Sequence, residues 1–429
     1  MAADSIPAPL IEACDRIRLA TQADAVGGVQ PSFVASPASI EQASSLLRAA
    51  AGLGLAVLPR GTGSKLAWGD PPERADLVVE TTGMSRVIEH AAGDLVASVE
   101  AGVSLDRLAE VLHAAGQRLA LDPPSLGAAG RGTVGGALAS GVAGPLRLRY
   151  GTGRDLLIGI TVVRADGTVA NSGGKVVKNV AGYDLGKLFA GSRGTLGLIT
   201  GATFRLHPEP SATAYVTIKP DGMADADRLL AACLRAPFAP VAAELDWPAP
   251  NAPMRLCLAL EGDAAGVSGR AAKLAEDAQR EAEISDQAPG WWGSGAAAQL
   301  DGTVLQVAFW AGALGKVLTD ISVAADQAGL PVAVSGSAAG LLHAWVRPAA
   351  DPAAIASFVT GLRSAVGHRE VDGDEAPGRA SVVVQHAPAA VSALVDRFGP
   401  VPSLGLMRAV KRQFDPERMM SPGRFIGGL

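Results

Sequence analysis

Three glycine clusters in the first half of the chain constrain its fold more than any other feature: PRGTGSK (59–65), GRGTVGGALASGVAGPLRLRYGTGRD (130–155) and GSRGTLGLIT (191–200). Glycine lets successive backbone N–H groups point at one anion and lets backbones approach closely. One such cluster is an ordinary turn in a chain with 52 glycines. Three of them, each following a buried element, suit an extended ligand that carries a diphosphate and flat rings.

Two familiar nucleotide motifs compete for these segments and fail. The G-S-K of PRGTGSK imitates an ATPase phosphate loop, but Leu66 follows Lys65 where a metal-binding hydroxyl belongs. No glycine lies five residues before Ser64, and LAWGDPP cannot open a helix. GRGTVG (130–135) fits GxGxxG with Asp155 downstream, yet LDPPSLGAA ahead of it is not a strand, and Asp155 precedes a strand instead of ending one. A nicotinamide enzyme is disfavoured.

Helix and strand signals alternate through this half. SIEQASSLLRAAAG offers Ser39 as N-cap, Gln42 three residues on, an apolar face of Ile40, Ala43, Leu47 and Ala50, and Gly52 as the stop. LAVLP (55–59), DLVVE (76–80) and LVASVEAG (95–102) read as strands, SLDRLAEVLHAAG as a second helix capped by Ser104, and LIGITVVRADGTV (157–169) as a strand pair turned at Asp166-Gly167. After Pro208 and Pro210 the glycine clusters thin out. The order strand, helix, strand, strand, helix then recurs twice, which predicts two ferredoxin-like units side by side.

A net charge of −5 gives no footprint for nucleic acid. Cys14, Cys233 and Cys257 are scattered with no CxxC pair, as expected of reduced thiols in a cytosolic protein. The N-terminal MAADSIPAPLIEACDR carries acids where a signal peptide carries bases. QAGLPVAVSGSAAGLLHAWV (327–346) is long enough for a membrane span, but Pro331, Ser335, Gly336, Ser337 and His343 divide it into a strand, a turn and another segment.

PRGTGSK, GTVGGALASGVAG…RYGTGRD and KNVAGYDLGKLFAGSRGTLGLIT together resemble the FAD-binding domain of the vanillyl-alcohol oxidase and p-cresol methylhydroxylase superfamily. PRGTGSKLAWGDPP, RVIEHAAGDLVASVEAG and the terminal FDPERMMSPGRF resemble more narrowly the FAD-binding E subunit of bacterial glycolate oxidase (glycolate dehydrogenase). The resemblance implies an α+β chain: a two-lobed FAD-binding (PCMH-type) domain plus a ferredoxin-like α+β cap lobe. Its expected parts are an N-terminal segment (1–29), the FAD-binding domain (30–210), the cap lobe (211–400) and a C-terminal segment returning to the FAD domain (401–429).

By position, the resemblance places Pro59, Arg60, Gly61, Thr62, Gly63, Ser64 and Lys65 around the FAD diphosphate with their backbone amides. Pro123 would help place the nucleotide or flavin ring. Gly132, Thr133, Gly135, Gly136, Ser140 and Gly141 would line the flavin–diphosphate region, with Arg149, Tyr150 and Asp155 holding the second edge. Gly194, Gly197 and Ile199 would meet the ribose and adenine. The first glycine loop lacks the histidine through which some members attach FAD, so a non-covalent FAD is expected. GSRGT also departs from its relatives, with Arg193 where an acid is common.

The catalytic residues stay unknown at this level. Hydroxy-acid dehydrogenases of the superfamily carry a late GDGNxH-type motif that binds metal and substrate, and nothing like it occurs here, so no metal is expected. His90, His113, His207, His343, His368 and His386 show no ligand spacing and read as structural or surface residues. Oxidation of a hydroxy acid needs a proton acceptor at the carbinol and a cationic clamp for the carboxylate. Arg147, Arg149 and Arg154 could supply the cation, and ordinary salt bridges account for them as well. The resemblance therefore implies one subunit of a glycolate-oxidising complex, with a sister flavoprotein subunit as the better place for substrate and an iron–sulfur subunit passing electrons on. A self-sufficient FAD oxidase or dehydrogenase of a small hydroxy acid or sugar alcohol, and a scaffold subunit with structural FAD, are the alternatives. A cytoplasmic place is implied, with membrane contact only through partners.

Overall fold

Ser39 does cap the first long helix: its hydroxyl accepts the Gln42 N–H at 3.3 Å, and the Gln42 carboxamide oxygen accepts the Ala38 N–H at 2.9 Å. The helix, α1 (Ile40–Gly52), buries Leu46, Leu47 and Ala50. It packs on a four-stranded sheet of β1 (Ile17–Leu19), β2 (Phe33–Ala35), β3 (Val57–Arg60) and β4 (Leu77–Glu80) in the order β1-β2-β4-β3. β2 and β3 both run parallel to β4. Truncating a fully buried leucine such as Leu47 costs about 2–5 kcal/mol. This computed structural model describes residues 5–126, 130–174, 183–235, 237–295, 299, 301–367, 369–371, 374–376 and 378–429. Residues 127–129 of LDPPSLGAA and 178–182 of KNVAGYD lie outside them, as does His368.

A second, antiparallel sheet completes this lobe. Its strands are β5 (Val87–Ala91), β6 (Val96–Glu100), β7 (Leu157–Val163), β8 (Val169–Gly173) and β9 (Leu198–Arg205), in the order β5-β6-β9-β7-β8. Two capped helices flank it. Ser104 accepts the Arg107 N–H at 3.1 Å to open α2 (Leu105–His113), and Thr133 accepts the Gly136 N–H at 3.1 Å to open α3 (Val134–Ser140).

The second lobe is one eight-stranded antiparallel sheet built from two βαββαβ units. The first comprises β10 (Ala212–Ile218), α4 (Met223–Arg235), β11 (Ala242–Trp247), β12 (Arg255–Gly262), α5 (Ala264–Ala278) and β13 (Ala282–Ser285). The second comprises β14 (Thr303–Phe309), α6 (Leu314–Gln327), β15 (Val332–Ser337), β16 (Leu341–Val346), α7 (Pro352–Val366) and β17 (Ala380–His386). The order β13-β10-β12-β11-β15-β16-β14-β17 makes each unit ferredoxin-like and joins them at the edges. The junction pairs β11 with β15, Glu244 opposite Ser337 and Trp247 opposite Val334. The units expected side by side are thus hydrogen-bonded into a single sheet, which leaves neither inner edge exposed.

Alternation along these strands gives the sheet two different faces. One buries Val216, Leu245, Leu258, Leu305, Val334 and Leu342 in one large core with residues of the four helices. The other turns toward the first lobe and carries Glu244, Asp246, Ser335, Ser337, His343 and Gln385, all buried. A buried network ties the lobes at one end. Arg118 of the first lobe donates to Glu261 of β12 at 2.7 Å, and the Tyr150 hydroxyl donates to the same carboxylate at 2.9 Å.

The tail from α8 (Leu404–Phe414) onward packs on the first lobe. Its Lys411 ammonium, itself buried, donates to Thr195 O at 2.7 Å, Asp415 Oδ2 at 2.6 Å and Met420 O at 2.9 Å. Beyond it the chain covers the open edge of β3: Val57 N–H donates to Met419 O at 2.8 Å, and Ser421 N–H to Val57 O at 2.9 Å.

Candidate functional site

The glycine clusters meet at the end of β3. A Cβ on Gly61 would lie 2.3 Å from Thr133 Oγ1, so only glycine lets the first cluster touch the second. Gly132, at φ +88°, would carry its Cβ 3.1 Å from Ser64 Oγ and 3.2 Å from Lys65 Nζ. Gly141 likewise abuts the Gly191 backbone, which brings the third cluster in. Between them lies an open cleft. Residues 58–66 form one wall, with Thr133, Gly136 and Ser140 of the α3 segment, Arg193 and Gly194, and Ser421 and Arg424 of the tail around it.

The charge in this cleft is positive and largely uncompensated. Among the described residues Lys65 Nζ reaches only Ser64 Oγ (3.2 Å) and Arg131 O (3.4 Å), and burial pushes its ammonium down to about 8. Arg193 lies beside the paired rings of Phe398 (5.3 Å) and Phe425 (5.7 Å), and burial lowers it to about 10. Arg424, lowered to about 10 for the same reason, donates to the carbonyls of Leu66, Trp68 and Asp70 and so clamps the first loop to the tail. Among the described residues neither Lys65 nor Arg193 has a carboxylate at ion-pair distance. A desolvated cation without a counter-ion is costly, and a diphosphate supplies that counter-ion. The donor set therefore fits FAD, through loop backbone and Lys65 for the diphosphate, with Arg193 beside it. Arg60 contributes backbone only, because its guanidinium is held by Asp24 (2.8 Å) and Glu80 (2.6 Å).

Of the residues expected to bind the cofactor, Pro59, Arg60, Gly61, Thr62, Gly63, Ser64, Lys65, Thr133, Gly136, Ser140 and Gly194 line the cleft together. Gly132 stands directly behind Ser64 and Lys65, and Gly135 packs on Ala101. Pro123 is buried next to Pro124, which lines an adjoining pocket. Others serve the framework. Arg149 is exposed. Tyr150 belongs to the lobe-tying network, Gly197 packs against Val163 O, and Ile199 lies in the core. Asp155, which the resemblance placed at the second edge of the cofactor, accepts the Thr152 N–H at 2.7 Å and caps a short helical turn.

The cleft continues beyond Trp68, Ser140 and Arg193 into a pocket shared with Gln306, His343 and Gln385, and from there to Arg147 and Glu244. Sequence reasoning missed His343, Glu244, Trp68 and Arg424. The signal for His343 was present in LLHAWV, where strict alternation sets it opposite the core residues Leu342 and Ala344. Among the described residues no three His, Cys, Asp or Glu side chains converge as a metal site, and no helix is long and apolar enough to cross a membrane.

A glycine-built cationic cleft, continuing into a polar pocket under an eight-stranded cap, defines a two-lobed FAD-binding protein. Residues 31–173 match the FAD binding domain family. Its sequence is similar to the glycolate oxidase subunit GlcD of Bacillus subtilis, 35% identical over 42% of this chain and 38% of that protein. It is also similar to the D-lactate dehydrogenase of Archaeoglobus fulgidus, 37% identical over 45% of this chain and 42% of that protein. The chain thus spans about two fifths of these curated relatives, by shares of 38% and 42%. Its fold resembles that of substrate-bound p-cresol methylhydroxylase, with a TM-score of 0.70 over 97% of this chain and 95% of that one at 16% identity.

Proposed function

We propose that this chain is an FAD-dependent oxidoreductase of small 2-hydroxy acids that holds its FAD without a covalent bond. The observation that carries the reading is the continuity of the cationic glycine cleft with the polar pocket beneath the cap sheet. Bound FAD supplies an acceptor for the two electrons of an alcohol oxidation. The chain's own residues do the rest. The loop from Pro59 to Lys65 and Gly194 would hold the cofactor from the first lobe, Ser421 and Arg424 would close it from the tail, and Gln306, His343 and Gln385 of the cap sheet line the adjoining pocket.

Similarity to a glycolate oxidase subunit supports a second part of the proposal, that the chain works with a sister flavoprotein subunit and an iron–sulfur subunit in a glycolate-oxidising complex. A cytoplasmic place with membrane contact only through those partners follows from that reading. The test begins with the absorbance of the purified chain. A preparation with no extractable FAD, even after incubation with the cofactor, sinks the flavin reading. Glycolate turnover with a dye acceptor is then measured on the chain alone and with the partner subunits. Activity only in the complete assembly supports the subunit role. Full turnover by the chain alone supports the self-sufficient enzyme, a reading that the buried polar face of the cap favours.

A further inference from the structure

We propose that the inter-lobe pocket formed by Arg147, Glu244 and His343 is a carboxylate-binding site on this chain itself, taking the monoanion of a short 2-hydroxy acid. The inference rests on the flavin reading above and adds to it where the substrate is held. The pocket draws its wall from both lobes. Arg147 comes from GPLRLRY of the first lobe, while Glu244, Ser335, Ser337 and His343 come from the polar face of the cap sheet.

Three observations point to a ligand. First, the Arg147 guanidinium has no hydrogen-bond or ion-pair partner among the described residues, although burial already disfavours its charge. Second, His343 Nδ1 is buried without a partner, while the ring is held by Gln385. Burial, with Arg147 nearby, lowers the imidazole to about 4, so it is neutral at physiological pH and free to exchange a hydrogen bond with a hydroxyl. Gly336, with φ +131°, leaves that side of the ring open, since a Cβ there would lie 3.3 Å from Nδ1. Third, Glu244 lines the same pocket and is pushed well above the usual carboxylate range by burial and by Asp122, which favours its protonated form.

Burial raises Asp122 to about 7, and the Arg147 guanidinium is the one cation in the described lining of the pocket. A single planar cation suits one carboxylate in bidentate geometry, and the neutral imidazole and carboxyl suit an adjacent hydroxyl. A phosphate dianion would want more than one cation. The pocket also shares Pro124, Ala143, Leu341 and His343 with the space that opens from Trp68 and Arg193, so a bound acid lies next to the cofactor cleft.

The probe is 2-hydroxyisobutyrate, which has the carboxylate and hydroxyl but no hydrogen on the carbinol carbon and so cannot be oxidised. Its binding to the FAD-loaded chain is read by titration calorimetry and by perturbation of the flavin spectrum, with 2-hydroxyisobutyramide as the uncharged control. Saturable binding of the acid and none of the amide is expected. Arg147→Met should weaken it by about 10- to 100-fold, the loss of a charge-assisted hydrogen-bonded pair. His343→Asn should weaken it by roughly 3- to 10-fold. Both variants should retain the FAD content and thermal unfolding of the parent. Equal heats from the parent and Arg147→Met, or none from either, overturn the proposal. A chain that takes up no FAD yet gives Arg147-dependent heat upholds the pocket and sinks the flavin reading instead.

Discussion

Lys65 offers the sharpest test of the cofactor cleft. Burial lowers its ammonium from 10.5 to about 8, and no carboxylate among the described residues pairs with it. A diphosphate beside Nζ favours the charged form, so binding FAD must raise this pKa. In the flavin-free chain the unfolded state binds more protons than the folded one between about pH 8 and pH 10.5, so folding stability rises with pH across that window. FAD affinity moves the opposite way, because the free protein must first take up a proton. The apparent Kd scales as one plus ten to the power of the pH minus the pKa, which makes FAD binding about tenfold weaker at about pH 9 than at about pH 7. Arg193 and Arg424, lowered only to about 10, keep their charge through most of this range. Lys65→Met should weaken binding by about 10- to 100-fold near neutral pH and flatten the profile above about pH 8. The assay is quenching of flavin fluorescence on titration with protein across that pH range. A wild-type Kd that changes by less than about twofold, or a Lys65→Met profile with the same slope, refutes the argument.

Other expectations follow from single contacts. Gly61→Ala places a methyl 2.3 Å from Thr133 Oγ1 and should reduce the FAD content of the purified protein while leaving far-UV circular dichroism unchanged. Lys411→Ala leaves the buried Asp415 unpaired and should cost about 3–5 kcal/mol in urea unfolding. Asp122, raised to about 7 by burial, binds its proton in the folded state where the unfolded chain has lost it, so its contribution to stability falls as pH rises from 3.8 through 7. Asp122→Asn can still accept the Leu146 N–H and should therefore raise the Tm more at about pH 8 than at about pH 5, as read by calorimetry.

How much of this was legible in the sequence depends on distance along the chain. Ser39, Ser104 and the Asp166-Gly167 turn act on residues two or three positions away, and each does so as read. The two ferredoxin-like units follow from the period of their strands and helices. Their fusion through β11 and β15 does not, because no local pattern says which edges will pair. Lys411 meets Thr195 across 216 positions, and Arg424 meets Leu66 across 358. The tail's role in closing the cleft could therefore come only from the resemblance, which marked FDPERMMSPGRF without saying what Arg424 does.

The cap sheet carries the larger lesson. A strand buried on both sides by apolar neighbours reads as a continuous hydrophobic run, and a strand facing water alternates. AAELDW alternates at Glu244, Leu245, Asp246 and Trp247, and LLHAWV sets one histidine among apolar residues, yet these polar residues are buried: Glu244 is 5% exposed and His343 8%. Alternation with burial means that something polar other than bulk water satisfies that face. The first lobe supplies Arg147, and the cleft running to Lys65 leaves room for the remainder. Buried histidine and glutamate on the lobe-facing side of such a sheet are therefore evidence about a ligand, where in an apolar core they would be evidence about packing.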